Sequence, residues 1–167
     1  MTNAAVPPRD RLHRQPGDGW VDCRCGRRHW GLFGAAGLLL VRRDRQGDPT
    51  HVVLQHRATW SDQGGTWALP GGAMAPGESA VQGALREAHE EAGIDPAAVA
   101  VRGEHVLTHP DWSYTTVLAD EAVHVTPVVT DAESTAVEWV PVDQVARRPL
   151  LTAFEAAWPE LLDRISR

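Results

Sequence analysis

Between Gly72 and Ile94 the chain reads GAMAPGESAVQGALREAHEEAGI, and the spacing of its charges restricts its structure more than any other feature. Glu87, Glu90 and Glu91 stand at i, i+3 and i+4, so a helix through this stretch puts them on one face. Three carboxylates on one face repel unless a cation joins them. A hard divalent ion such as Mg²⁺ suits oxygen donors and commonly bridges to substrate phosphates. Arg86 lies one helical turn before Glu90 and offers a bidentate fork to a carboxylate. Ser79-x-x-Gln82 has the form of a capping box and sets the helix start. Gly93 suits the C-terminal cap. Val81, Ala84, Leu85, Ala88 and Ala92 recur at helical spacing and form the apolar face. The acidic residues are therefore expected off that stripe, facing a cleft or water. Gly83, in mid-helix, weakens it by about 1 kcal/mol relative to Ala.

The same segment resembles the Nudix box, G-x5-E-x7-R-E-U-x-E-E-x-G-U with U a bulky aliphatic residue. Gly72, Glu78, Arg86, Glu87, Glu90, Glu91, Gly93 and Ile94 all fall on the pattern, and Ala88 is smaller than the usual U residue. Gly64-Gly65-Thr66-Trp67-Ala68-Leu69-Pro70-Gly71 is similar to the usual approach to the box. The resemblance implies an α+β fold, an α/β/α sandwich around a mixed β-sheet. It also implies hydrolysis of phosphoanhydride bonds with Mg²⁺, for which Mn²⁺ can substitute. Glu87, Glu90 and Glu91 become metal ligands, and Gly71 or Gly72 offers a backbone carbonyl as a further one. Arg86 and Glu78 become structural partners. A glutamate from a distant loop often joins such sites, and Glu133, in an acidic loop before Glu138-Trp139-Val140-Pro141, is the candidate. The general base is either Glu87 or Glu133.

Composition sets the remaining bounds. A chain of 167 residues with 43% apolar content supports one domain with a real core. Its sequence has no apolar run long enough for a membrane span and no signal-like N-terminal segment, so a cytoplasmic protein is expected. The net charge of −6 is uneven: residues 1–45 carry nine Arg against four acids, and the remainder seven Arg against eighteen. A net-acidic body argues against broad nucleic-acid binding. It leaves room for a phosphorylated small substrate, because metal ions supply the local positive charge.

Residues 1–19 lack periodicity and read as a disordered arm ahead of a domain over 20–167. Gly34–Val41 and His51–His56 read as a strand hairpin about the turn Arg45–Asp48, with something packed closely on the small residues of the first strand. Trp67–Leu69 is a short strand. Later strands are expected at 101–108, 114–119, 122–129 and 136–140. An amphipathic helix follows over 150–166, kinked or interrupted at Pro159. Trp112 and Tyr114 lie in a loop-like stretch and either stack on a nucleobase or fold onto the core. His56, His105, His109 and His124 read as surface or strand residues. A disulfide between Cys23 and Cys25 would be strained. With His29 they offer three ligands of a zinc site at a spacing that matches no standard finger, or else simply a turn.

Together these features point to hydrolysis of a nucleoside diphosphate linked to a further group, with a lean toward a MutT-like nucleoside triphosphate pyrophosphatase. ADP-ribose, nucleotide-sugar or dinucleoside polyphosphate hydrolysis is the alternative, as is a non-catalytic nucleotide-binding module. Monomer and homodimer read alike.

Overall fold

The computed structural model describes residues 15–167. Most of the expected N-terminal arm therefore lies outside the described residues. Residues 15–19 are tied down: Leu32 N–H donates to Gly17 O at 2.9 Å and Gly31 N–H to Gly19 O at 2.7 Å.

A two-stranded hairpin, β1 (Trp20–Asp22) and β2 (Arg28–Trp30), precedes the main sheet. The sheet is built on β3 (Ala35–Arg43) and β4 (Pro49–Arg57), which are antiparallel but pair only near their shared turn. Farther along they diverge. The wedge between them is filled by β5 (Trp67–Ala68), paired with β4, and β6 (Gly71–Ala73), paired with β3. Leu38 N–H donates to Pro70 O at 2.9 Å and closes the seam. β7 (Val99–His109) and β8 (Trp112–Glu121) form a long hairpin, β8 running parallel to β3. β9 (Ser134–Pro141) covers the other edge of β4. The sheet is therefore mixed.

Alternation along the central strands sends side chains to opposite faces. Leu39, Val41, Val52 and Leu54 pack with Phe154, Trp158, Leu161 and Ile165 of α2 (Thr152–Ile165). Leu38, Leu40, Val53 and Val117 pack with Ala84, Ala88 and Ala92 of α1 (Ala80–Ala92). The result is the expected helix–sheet–helix sandwich. The small alanine stripe of α1, Ala88 included, lets that helix sit close to the sheet.

α1 carries the capping box between Ser79 and Gln82, and Gly93 closes it at φ 64°, a left-handed conformation that glycine adopts without strain. Two expectations fail. Residues 122–129 form no strand. Val128 and Thr130 donate their N–H groups to Ala92 O and Glu91 O, so this segment wraps the end of α1 instead of joining the sheet, and Pro127 has no N–H to give a ladder. Nor does Pro159 interrupt α2, which runs unbroken from 152 to 165. Its ring is on the exposed side, while Phe154, Trp158, Leu161 and Ile165 are buried on the other and hold both halves to the sheet.

Gly71 is where this packing is tightest. A Cβ there would lie 2.5 Å from Ala36 O and 2.6 Å from Gly37 Cα. Gly71→Ala is expected to cost about 1–3 kcal/mol, as overpacking does. A urea midpoint unchanged from that of the original chain would contradict this close approach.

Candidate active site

The β5–β6 segment delivers Gly71 and Gly72 to the flank of α1. Gly71 N–H donates to Glu91 Oε2 at 3.0 Å. A Cβ on Gly72 would stand 2.8 Å from both Cδ and Oε1 of Glu87. Two glycines in a row thus let α1 press its carboxylates against strand backbone.

The three helix glutamates differ in exposure. Glu87 is 8% exposed and Glu91 4%, while Glu90 stays half-buried at the rim. The reason is the same pair of glycines, which leave room beside Ala84 and Ala88 for carboxylates to turn inward.

Arg86 organises the cluster. Its Nε and Nη2 reach Glu78 Oε1 and Oε2 at 2.7 and 3.0 Å, a bidentate pair. Nη2 also donates to Ala73 O at 3.0 Å. Nη1 reaches Glu87 Oε1 at 2.9 Å and Glu90 Oε2 at 3.2 Å. Glu78 Oε2 in turn accepts from Ala75 N–H at 2.8 Å, which fixes the loop before the helix. A Cβ on Gly83 would come within 3.2 Å of that Glu78 oxygen, so the mid-helix glycine makes room for the pair.

The loop before β9 completes the cluster. Carboxylate oxygens of Glu91, Asp131 and Glu133 lie within 4.8 Å of one another. Glu133 N–H donates to Asp131 Oδ1 at 2.9 Å, and Glu133 O accepts from Ala58 N–H at 2.8 Å, which anchors the loop to the end of β4. Asp131 escaped the sequence reading, which chose only Glu133. The signal available was the Asp-x-Glu spacing, in which the Asp side chain caps the backbone two residues on and draws the turn before β9 together.

Gathering these groups perturbs them. Burial, aided by Glu90 and Glu133, pushes Glu87 up to about 7 against the pull of Arg86. Glu91 rises well above the usual carboxylate range through burial and the charges of Glu87, Glu133 and Asp131, which the Gly71 N–H only partly offsets. Glu78 moves the other way, held low by the Arg86 guanidinium. The donors are all hard oxygens, and three of their carboxylates come within 4.8 Å of one another. The set fits a divalent ion of the Mg²⁺ or Mn²⁺ kind, held by Glu87, Glu91, Asp131 and Glu133, with Glu90 and the Gly71–Gly72 backbone at its margin.

The two aromatics separate. Tyr114 lies across Gly37, where an added Cβ would strike its hydroxyl. Burial and then the charge of Glu91 raise its phenol. Trp112 stacks on His29 with centroids 4.4 Å apart and planes 9° from parallel, and its Nε1 donates to Trp30 O at 3.2 Å. Both follow the β7–β8 turn within strand β8, not a loop.

A pH dependence follows from the raised pair. Glu87 and Glu91 keep protons in the fold at pH values where the unfolded chain has lost them. Metal-free stability is therefore greatest near the ordinary carboxylate range and falls as pH rises toward about 7 and beyond. The loss is on the order of a few kcal/mol. Thermal melts of chelator-treated protein between about pH 5 and pH 8 check this, and Glu91→Gln is expected to flatten the decline. A melting temperature that climbs over that range would contradict it.

The NUDIX domain family profile matches residues 32–162. A nucleoside triphosphate pyrophosphatase/Nudix hydrolase fusion protein of Bifidobacterium longum is 53% identical over 163 residues, covering 96% of this chain and 34% of that protein. The chain thus spans about a third of that relative's length. A putative 8-oxo-dGTP diphosphatase of Mycobacterium tuberculosis is 46% identical over 156 residues, covering 89% of this chain and 70% of its own. Among solved structures, the Nudix hydrolase RenU of M. smegmatis superposes with a TM-score of 0.79 at 45% identity, covering 89% of this chain and 94% of RenU. A C. elegans Ap4A hydrolase shares the fold, with a TM-score of 0.63 at 21% identity, covering 78% of this chain and 97% of its own. The match along most of the chain and the box geometry agree, and the chain belongs to the Nudix hydrolase family.

Proposed function

We propose that this chain hydrolyses the diphosphate linkage of a nucleoside diphosphate derivative with Mg²⁺, and that its substrate is a nucleoside triphosphate cleaved to the monophosphate and pyrophosphate. The observation that carries the reading is the close set of Glu91, Asp131 and Glu133 carboxylates beside the buried Glu87. The names of the Bifidobacterium and Mycobacterium relatives favour the triphosphate class.

Bound Mg²⁺ would neutralise charge on the phosphate oxygens and lower the pKa of an attacking water. The residues of the chain do the rest. Glu87, Glu91, Asp131 and Glu133 hold the cation. Arg86 orients Glu87 and Glu90 from behind and is a positioning residue. Glu87 and Glu133 are the two candidate bases for the proton of the attacking water. Trp112 and Tyr114 alternate along β8, their ring centroids 6.3 Å apart, and form an aromatic shelf for the nucleoside. No helix among the described residues is long and apolar enough to cross a membrane.

The deciding experiment is a panel of canonical and oxidised nucleoside triphosphates, ADP-ribose, nucleotide sugars and dinucleoside polyphosphates, each with Mg²⁺ or Mn²⁺. Release of pyrophosphate from triphosphates is expected. Tight nucleotide binding without turnover of any panel member would instead mark a non-catalytic binding module. Glu91→Gln is expected to keep the fold and the Gly71 contact but lose kcat by roughly 100-fold or more, the scale of a lost metal-centred electrostatic contact. Unchanged kcat at saturating Mg²⁺ would remove Glu91 from that role. Trp112→Ala is expected to raise KM more than it lowers kcat. An unaltered KM on the best substrate would take the ring out of the nucleoside shelf.

A further inference from the structure

The chain has only two cysteines, and the fold brings both to one histidine, away from the carboxylate cluster. β1 turns back into β2 within a few residues. Cys23 N–H donates to Arg27 O and Gly26 N–H to Cys23 O, both at 3.0 Å. Gly26 has φ +87°, which a left-handed turn residue needs to be glycine to adopt without strain. The turn stacks Cys23, Cys25 and His29 so that their ligand atoms lie within 4.8 Å of one another. Cys25 Sγ is 3.2 Å from His29 Nε2.

Those separations suit a tetrahedral ion. Bonds of about 2.3 Å to sulfur and about 2.0 Å to imidazole nitrogen require donor spacings of roughly 3.5–3.8 Å.

A second set of contacts shows a braced site. Trp112 stacks on the His29 ring and His109 packs beside it, with centroids 4.4 and 4.3 Å away, so two neighbours restrain the ring while Nε2 faces Cys25. Arg24 donates from its backbone N–H and Nε to Asp111 at 2.8 and 2.9 Å. Trp112 Nε1 reaches Trp30 O. The hairpin is therefore fastened to the β7–β8 turn on both sides of the thiols. Cys23 is buried, whereas Cys25 faces solvent and is open to an incoming ion.

We propose that Cys23 Sγ, Cys25 Sγ and His29 Nε2 bind a zinc ion, with water in the fourth tetrahedral position beside Asp111. Two Zn–S bonds form as both thiols release their protons to solvent. The neutral imidazole enters through the Nε2 lone pair and keeps its proton on Nδ1. Soft thiolates with imidazole select zinc over Mg²⁺, so the two sites of the chain take different metals. Ligation would lock the hairpin against the β7–β8 turn and hold His29 under Trp112.

The test is a cobalt(II) titration of the reduced, chelator-treated full chain in excess Mg²⁺, which occupies the carboxylates. A thiolate-to-cobalt charge-transfer band with intense tetrahedral visible absorption is expected, displaced by one equivalent of zinc. Cys25→Ser, at an exposed position, and His29→Asn are each expected to weaken zinc binding at least roughly tenfold, since a ligand loss should exceed the effect of losing a mere supporting contact. Glu91→Gln is expected to keep the thiolate band while losing hydrolysis, which separates this site from the hydrolytic reading. Absence of the band, or a zinc affinity that both hairpin variants share with the original chain, would overturn the proposal.

Discussion

The close approach of α1 to strand backbone at Gly71 and Gly72 is the contact on which the rest depends. It needs glycine at both positions, because a single Cβ would fall 2.5 Å from Ala36 O at the first and 2.8 Å from the Glu87 carboxylate at the second. It also needs alanines at 84, 88 and 92, which are fully buried and hold the helix near the sheet. The wedge between β3 and β4 supplies the place, because strands that diverge leave an opening for a third segment. Sheet topology, helix composition and site geometry are thus one constraint seen at three scales.

That approach is electrostatically unfavourable. Carboxylates taken from water favour their neutral forms, and Glu87 and Glu91 both shift that way. The fold tolerates this through Arg86, whose guanidinium meets Glu78, Glu87, Glu90 and Ala73 O together. Partly buried charge-assisted bonds of this kind are strong and directional, and removing one partner leaves the others uncompensated. Stability and the capacity to hold a cation are therefore in tension at the same residues, a usual signature of functional sites.

The local signals in the sequence were legible because they act within a few residues. Ser79 and Gln82 reach only one turn of helix, Gly93 needs only its own φ, and the period of Val81, Ala84, Ala88 and Ala92 is set by helix geometry. The β3–β4 hairpin follows from its turn. What stayed hidden depends on distant partners. The valines over 122–129 have strand character, yet Val128 gives its N–H to Ala92 O and Val125 gives its own to the Glu121 carboxylate. Pro159 breaks isolated helices, but four buried side chains keep α2 continuous. Helix spacing placed Glu87 and Glu91 together and could not reveal that glycines on another element would let both turn inward. Asp131 meets Glu91 only through a loop whose path the fold decides.

The charge of the body bears on what this site accepts. Residues after 45 carry eighteen acids against seven Arg, so a polyphosphate approaches a surface of its own sign. Arg86 cannot relieve that repulsion, because Nε, Nη1 and Nη2 are already committed to carboxylates and a backbone carbonyl. An arginine so occupied is a scaffold, not a phosphate clamp. On the proposed reading, attraction for the diphosphate comes from ions held by Glu87, Glu91, Asp131 and Glu133, so cation and nucleotide are expected to bind with positive cooperativity: each supplies charge the other lacks. The same reading puts selectivity among nucleotides along the edge formed by Tyr114, Trp112 and the hairpin that supports them. It divides two functions between two elements, with the helix face reading the phosphates and the β8 edge the group attached to them.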